Sequence, residues 1–153
     1  MAHRGCEQHN EDGTKDVFVG THERTLDDKG RLALPVAFRA QLGERGFLVD
    51  LGTCLAVYTE AGFREAVDRL NAEVRDGGAD QDAVRLIASS AHEVSPDSQG
   101  RIVLPAGHRN AAALENEATV IGAINRVEIW NPTGWEELKA RDTGDGPAKG
   151  KWL

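Results

Sequence analysis

Cysteine is nearly absent from this chain of 153 residues: it has two, Cys6 and Cys54. One falls in a polar stretch and the other in an apolar one, so no disulfide framework is expected, and a reducing cytosol is the simplest setting. No apolar run approaches the roughly 20 residues of a membrane-spanning helix, and residues 1–6 lack the apolar segment of a secretory signal. Excess positive charge is missing too. Lys and Arg total 18 against 25 Asp and Glu, a net charge of −7, which argues against a generic binder of polyanions. Aromatic residues are sparse at 5%. The 40% hydrophobic and 28% charged shares are still those of an ordinary soluble globular chain. A chain of this length forms one domain, or two small interlocked halves. It can bury roughly two-thirds of its unfolded surface without help from a metal.

What the chain does have is a motif written twice. Asp27-Asp28-Lys29-Gly30-Arg31-Leu32-Ala33-Leu34-Pro35 returns 70 positions later as Asp97-Ser98-Gln99-Gly100-Arg101-Ile102-Val103-Leu104-Pro105. Asp27, Gly30, Arg31, Leu34, Pro35 and, further on, Arg39 each meet the same residue type in the second copy. Asp opens a turn by accepting from nearby backbone, and Gly supplies a positive φ. Arg then begins a short strand, and Pro starts a short helix where its missing N–H costs nothing. The reading is turn, strand, helix, with Asp27 and Asp97 holding Arg31 and Arg101 in one orientation. The pairs could serve only to close the turns. The flanking Lys29 and Arg24 favour a cationic contact surface instead. From Glu23 to Arg45 five cations (Arg24, Lys29, Arg31, Arg39, Arg45) face four anions (Glu23, Asp27, Asp28, Glu44), so the acidic excess lies elsewhere.

The rest of the chain fits around these motifs. Residues 1–15 read as a disordered polar tail. His3, Cys6 and His9 within it are one ligand short of a structural zinc site, so no metal is expected. Residues 17–26 read as a strand with Phe18, Gly20, His22, Arg24 and Leu26 on one face. Residues 47–51 and 54–58 suggest a hairpin. Thr59 caps a helix to about Arg75, on which Phe63, Val67, Leu70 and Val74 recur at helical spacing. Residues 76–79 break that helix, and 80–90 form a connecting one. The second half repeats the scheme: a strand at 91–95, a short helix at 105–114, strands at 118–123 and 126–130, and a helix at 132–141. The offset becomes 72 here, pairing Tyr58 with Trp130 and Phe63 with Trp135. The expected units are therefore a first repeat at 16–75, a connecting helix at 76–90, a second repeat at 91–141, and a flexible tail at 142–153 that contains Trp152. Four short strands with two long edges are marginal alone. The two halves are therefore expected to pair strands and close into a pseudo-twofold, mainly β barrel with helices (α+β). The apolar faces of its outer helices could be covered by neighbouring subunits.

The paired forms LDDKGRLALP and PDSQGRIVLP, the opening FVGTHERTLDDKGR and the closing ATVIGAINRVEIWNPTGWEEL resemble the MraZ family of bacterial regulators over roughly residues 17–140. The resemblance implies a double AbrB-like, swapped-hairpin fold and ring-shaped homo-oligomers. It also implies repression of transcription through double-stranded DNA, at short direct repeats upstream of division and cell-wall genes. DNA contact falls on Arg31 and Arg101, with Lys29 in the first motif and Gln99 at the matching place in the second. No cofactor and no membrane are implied, and the setting is cytoplasmic and nucleoid-associated. Arg suits the task because its planar fork pairs with guanine O6 and N7 and also grips phosphate. A ring would present few cations per subunit many times over, so a modest local affinity suffices.

Two other readings are weighed. Asp27 and Asp97, matched across a pseudo-dyad, could form the carboxylate pair of a hydrolase. An adjacent Arg, however, keeps each carboxylate ionised instead of sharing a proton, and His22, His92 and His108 are scattered. An antitoxin-like module of the same fold would use the tails 1–15 and 142–153 to bind a partner, yet these are short and not amphipathic.

Overall fold

In a computed structural model, which describes residues 17–141, eight strands and five helices follow one another. The first half contains β1 (Thr21–Thr25), β2 (Arg31–Ala33), α1 (Val36–Leu42), β3 (Gly46–Asp50), β4 (Leu55–Thr59) and α2 (Glu60–Arg75). Helix α3 (Gln81–Ser90) connects to the second half. That half contains β5 (His92–Val94), β6 (Arg101–Val103), α4 (Ala106–Ala111), β7 (Glu117–Gly122), β8 (Val127–Trp130) and α5 (Pro132–Arg141).

The local signals act as their chemistry dictates. Pro35 and Pro105 cap α1 and α4 without a side-chain bond. Gly43, at φ 80°, ends α1 with its N–H on the Arg39 carbonyl at 3.2 Å. The Thr59 hydroxyl accepts from the Gly62 N–H at 2.9 Å and caps α2. Asp80 does the same for α3, accepting from Asp82 and Ala83. Strand β1 begins at Thr21, not at Val17, because Gly20 sits at φ 101° and breaks the extended run. Phe18 instead forms an isolated bridge to Ile124. The expected faces hold: Phe18 and Leu26 are buried, whereas Val17 and Val19 are exposed.

All strand pairs are antiparallel, and the halves interleave. One sheet runs β1-β7-β8-β4-β3-β5, and a separate ribbon pairs β2 with β6. The two halves therefore meet at β1–β7, at β4–β8, at β3–β5 and in the ribbon. Among the described residues the expected barrel is not closed by hydrogen bonds, because β1 and β5 remain edges of the larger sheet. The ribbon stays three residues long because Pro35 and Pro105 follow so soon, and proline has no N–H to extend a ladder.

The core lies between ribbon, sheet and α1. Leu32 and Ile102 face each other across the ribbon and are fully buried; Leu48, Leu55, Val120 and Ile129 pack from the sheet. Phe38 from α1 meets Phe18 edge to face at 5.6 Å. On the far side of the sheet, Phe47 stacks on Phe63 at 4.7 Å. There Phe63, Val67 and Leu70 of α2, with Val84 and Ile87 of α3, line an open apolar groove of about 370 Å³.

Leu32→Ala removes the centre of the ribbon's inner face. It is expected to lower stability by about 2–5 kcal/mol in denaturant unfolding. Leu86→Ala, at a side chain 69% exposed, should change stability by less than about 0.5 kcal/mol.

Candidate nucleic-acid interface

The Asp27 turn is built almost wholly from its own backbone. One carboxylate oxygen of Asp27 accepts the backbone N–H groups of Lys29 (2.9 Å) and Arg31 (2.8 Å). The other accepts Arg31 Nε at 2.7 Å. Gly30, at φ 78°, donates to the Asp27 carbonyl. The second copy repeats each bond. Asp97 accepts from Gln99 N (2.9 Å), Arg101 N (2.9 Å) and Arg101 Nε (3.0 Å), with Gly100 at φ 80°.

These bonds set the charge. The Arg31 backbone N–H is the largest cause holding the Asp27 carboxyl at about 2, below its ordinary 3.8. Partial burial opposes it, and the Arg31 side chain and the Lys29 N–H add to it. The Asp97 carboxyl is lowered by the same set, led by the Arg101 backbone N–H. Each Asp stays ionised and grips its arginine only at Nε. Among the described residues, no hydrogen bond engages the Nη groups of Arg31 or Arg101, and each of these side chains is 30% exposed. A guanidinium held from one side with both Nη groups unused is prepared for a two-pronged acceptor.

The ribbon brings the two arginines together. Arg31 stands opposite Val103, and Arg101 opposite Ala33. Since Leu32 and Ile102 point into the core, strand alternation puts Arg31, Ala33, Arg101 and Val103 on the other face. The arginines are diagonal neighbours, about 7–8 Å apart by the usual spacing of such positions. Lys29 is exposed at the head of the same turn.

Two further arginines complete the picture, and the repeat alone gave them no role. Arg109, on α4, lies over Gly30 in the opposite half, and Arg39, on α1, lies over Gly100. A Cβ at Gly30 would fall 2.9 Å from Arg109 Cζ and 3.0 Å from the Leu104 carbonyl oxygen. A Cβ at Gly100 would fall 2.7 Å from Arg39 Cδ. The glycines therefore serve both the turn and the close passage of a guanidinium from the other half. The matched pair Arg39 and Arg109 was the available sequence signal, but its crossing depends on how the halves pair.

Other expected residues fall elsewhere. Arg24 is not a free flanking cation: its Nε donates to the Ala33 carbonyl (3.1 Å) and its Nη1 to the Glu23 carbonyl, tying β1 to the ribbon. His92 and His108 are less scattered than their numbering suggests, with ring centres 6.0 Å apart, and His108 Nε2 is bonded to the Ser90 carbonyl. His22 packs edge-on against Phe38. Among the described residues, no cluster of three His, Cys, Asp or Glu could hold a metal, and no helix is long and apolar enough to cross a membrane. His3, Cys6, His9 and Trp152 lie outside the described residues. Cys54 is buried, and burial pushes its thiol up to about 12, away from the thiolate form that nucleophilic attack requires.

Comparison with known proteins agrees with the two-repeat organisation of the chain. The family model described as "MraZ protein, putative antitoxin-like" matches residues 17–85 and again 87–146. The chain belongs to the MraZ family. It is 40% identical over 131 residues to the transcriptional regulator MraZ of Salinispora arenicola, covering 84% of this chain and 92% of that one. It is 41% identical over 126 residues to the protein of the same name from Salinispora tropica, covering 81% and 88%. With that from Clavibacter michiganensis subsp. michiganensis it shares 42% over 123 residues, covering 79% and 85%.

The MraZ family is regulatory and not enzymatic, and the geometry disposes of the hydrolase reading. The ribbon's register sets the turns of Asp27 and Asp97 at its opposite ends, and each carboxylate is committed to its own arginine. No proton-sharing pair forms.

Carboxyl NMR should find Asp27 titrating at about 2 and Asp97 below 3.8. A lowered folded-state value means that the turn's contribution to stability is complete above the unfolded value of 3.8 and is lost as pH falls through about 2. Arg31→Ala should raise the Asp27 value only in part, because the backbone N–H at position 31 survives the change. Gly30→Ala is expected to destabilise the fold by about 1–3 kcal/mol through the positive φ alone, with displacement of Arg109 added to that.

Proposed function

We propose that this protein is a sequence-specific DNA-binding transcriptional regulator that uses the outer face of the β2–β6 ribbon as its reading surface. The observation that carries the reading is the pair of same-face arginines, each clamped at Nε by an aspartate with its Nη groups unused. A two-stranded ribbon fits the major groove of B-DNA, and an Arg fork matches guanine O6 and N7. Lys29 adds a phosphate contact at the Arg31 end, where the other end has Gln99. The relatives' name, transcriptional regulator, supports the same conclusion. Asp27, Asp97, Gly30 and Gly100 support the reading arginines and do not touch DNA themselves.

The finer terms come from the family resemblance. The protein acts in the cytoplasm at the nucleoid. It represses the division and cell-wall gene cluster from short direct repeats, as a ring of identical subunits. A ring suits a chain of net charge −7, because only one rim must be cationic and repeated motifs share the work. The open apolar groove between α2 and α3 offers a surface for a neighbouring subunit. On this reading the units are repeats at 16–75 and 91–141 joined by 76–90, with tails at 1–15 and 142–153. An antitoxin-like role echoes the family's description, but it would rest on those tails, which lie outside the described residues.

Arg31→Ala and Arg101→Ala should each weaken binding to the promoter DNA of the protein's own operon by about tenfold or more, with the oligomer unchanged by size-exclusion chromatography. A wild-type shift in both variants would refute the assignment. Lys29→Ala should make the plot of log affinity against log salt shallower by about 0.9, the loss of one phosphate contact.

A further inference from the structure

The reading face is symmetric in its arginines but not in what lies beside them. Positions 33 and 103 correspond in the two halves, and each stands across the ribbon from the other half's arginine. Opposite Arg101 is Ala33, which is short and half-buried. Opposite Arg31 is Val103, a branched aliphatic side chain 50% exposed. It stands on the face turned away from the core. The inner face at that point is already filled by Leu32 and Ile102, both fully buried.

Residues directly opposite in an antiparallel pair lie about 4.5–5.5 Å apart. Successive base pairs are separated by about 3.4 Å. An apolar group beside Arg31 therefore lies between about one and two base steps from whatever Arg31 reads, within reach of a neighbouring base pair. Only one apolar group is offered by bases in the major groove, the C5 methyl of thymine.

Building on the DNA-binding reading above, we propose that Val103 is a specificity-determining residue. It contacts the methyl group of a thymine next to the base read by Arg31. Ala33 is too short to make the matching contact at the Arg101 end. With Lys29 also unmatched, by Gln99, the two ends of the ribbon select different bases, and the face reads its site with a polarity.

The test uses the full chain. Double-stranded DNA selected by the protein from a random pool is amplified with either dTTP or dUTP, which retains or removes every thymine methyl. Affinities are then measured by fluorescence anisotropy for the wild type, Val103→Ala, Ala33→Val and Arg31→Ala. The wild type should bind the uracil DNA about fourfold more weakly for the one contacted methyl. Val103→Ala should lose a similar factor on thymine DNA and lose little more on uracil DNA. Ala33→Val should add discrimination where a thymine falls at the second end of the site. A wild type indifferent to the methyl groups, or a Val103→Ala variant that keeps full sensitivity to them, overturns the proposal. Arg31→Ala separates this failure from a deeper one. If that variant loses binding while methyl removal has no effect, only the thymine assignment falls. If it binds as the wild type does, or if no DNA is enriched at all, the ribbon is not a DNA-reading surface and both readings fall.

Discussion

Everything distinctive about this molecule depends on the antiparallel pairing of β2 with β6. Leu34 N donates to the Gly100 carbonyl at 3.0 Å, and Leu104 N to the Gly30 carbonyl at 2.8 Å, so the ladder ends on the glycines of the two turns. That register buries Leu32 against Ile102 and in the same stroke turns Arg31 and Arg101 to one outer face. A slip by one residue would invert every side chain of so short a ribbon. The buried pair and the two crossing arginines, Arg39 and Arg109, make such a slip costly.

The electrostatics work locally, against the overall charge. A chain at −7 would repel a polyanion if its charges were evenly spread. Each motif aspartate is turned towards backbone N–H groups and one guanidinium nitrogen, so its negative charge is largely answered within the turn. The arginine keeps its remaining donors, and the clamp reduces the rotamer freedom it would lose on meeting a ligand. The acid in the motif therefore organises the cation more than it cancels it.

Much of this was legible in the residues. The copied Asp, Gly, Arg and Pro specified both turns and both short helices, because those signals act within a few residues. The helix at 60–75 followed from Thr59 and its apolar spacing, and the one at 81–90 was read from residue 80, which proves to be its cap. What the sequence did not disclose was long-range. The open edges at β1 and β5 could not be foreseen, since strand content says that strands must pair but not which edges stay unpaired. Arg24 looked like a contact residue because its bond to the Ala33 carbonyl spans two elements. Arg39 and Arg109 looked like bystanders because each serves a turn about 60–80 positions away.

Joining the halves in one polypeptide has an evolutionary side. Had this ribbon been made by two identical chains meeting at a dyad, each substitution would have appeared at both ends together. Fusion removes that constraint. Lys29 can stand in one half and Gln99 in the other, and Val103 against Ala33, while Leu32 and Ile102 seal the centre. The covalent link between the repeats is what lets inheritance edit one end of the ribbon's outer face and spare the other.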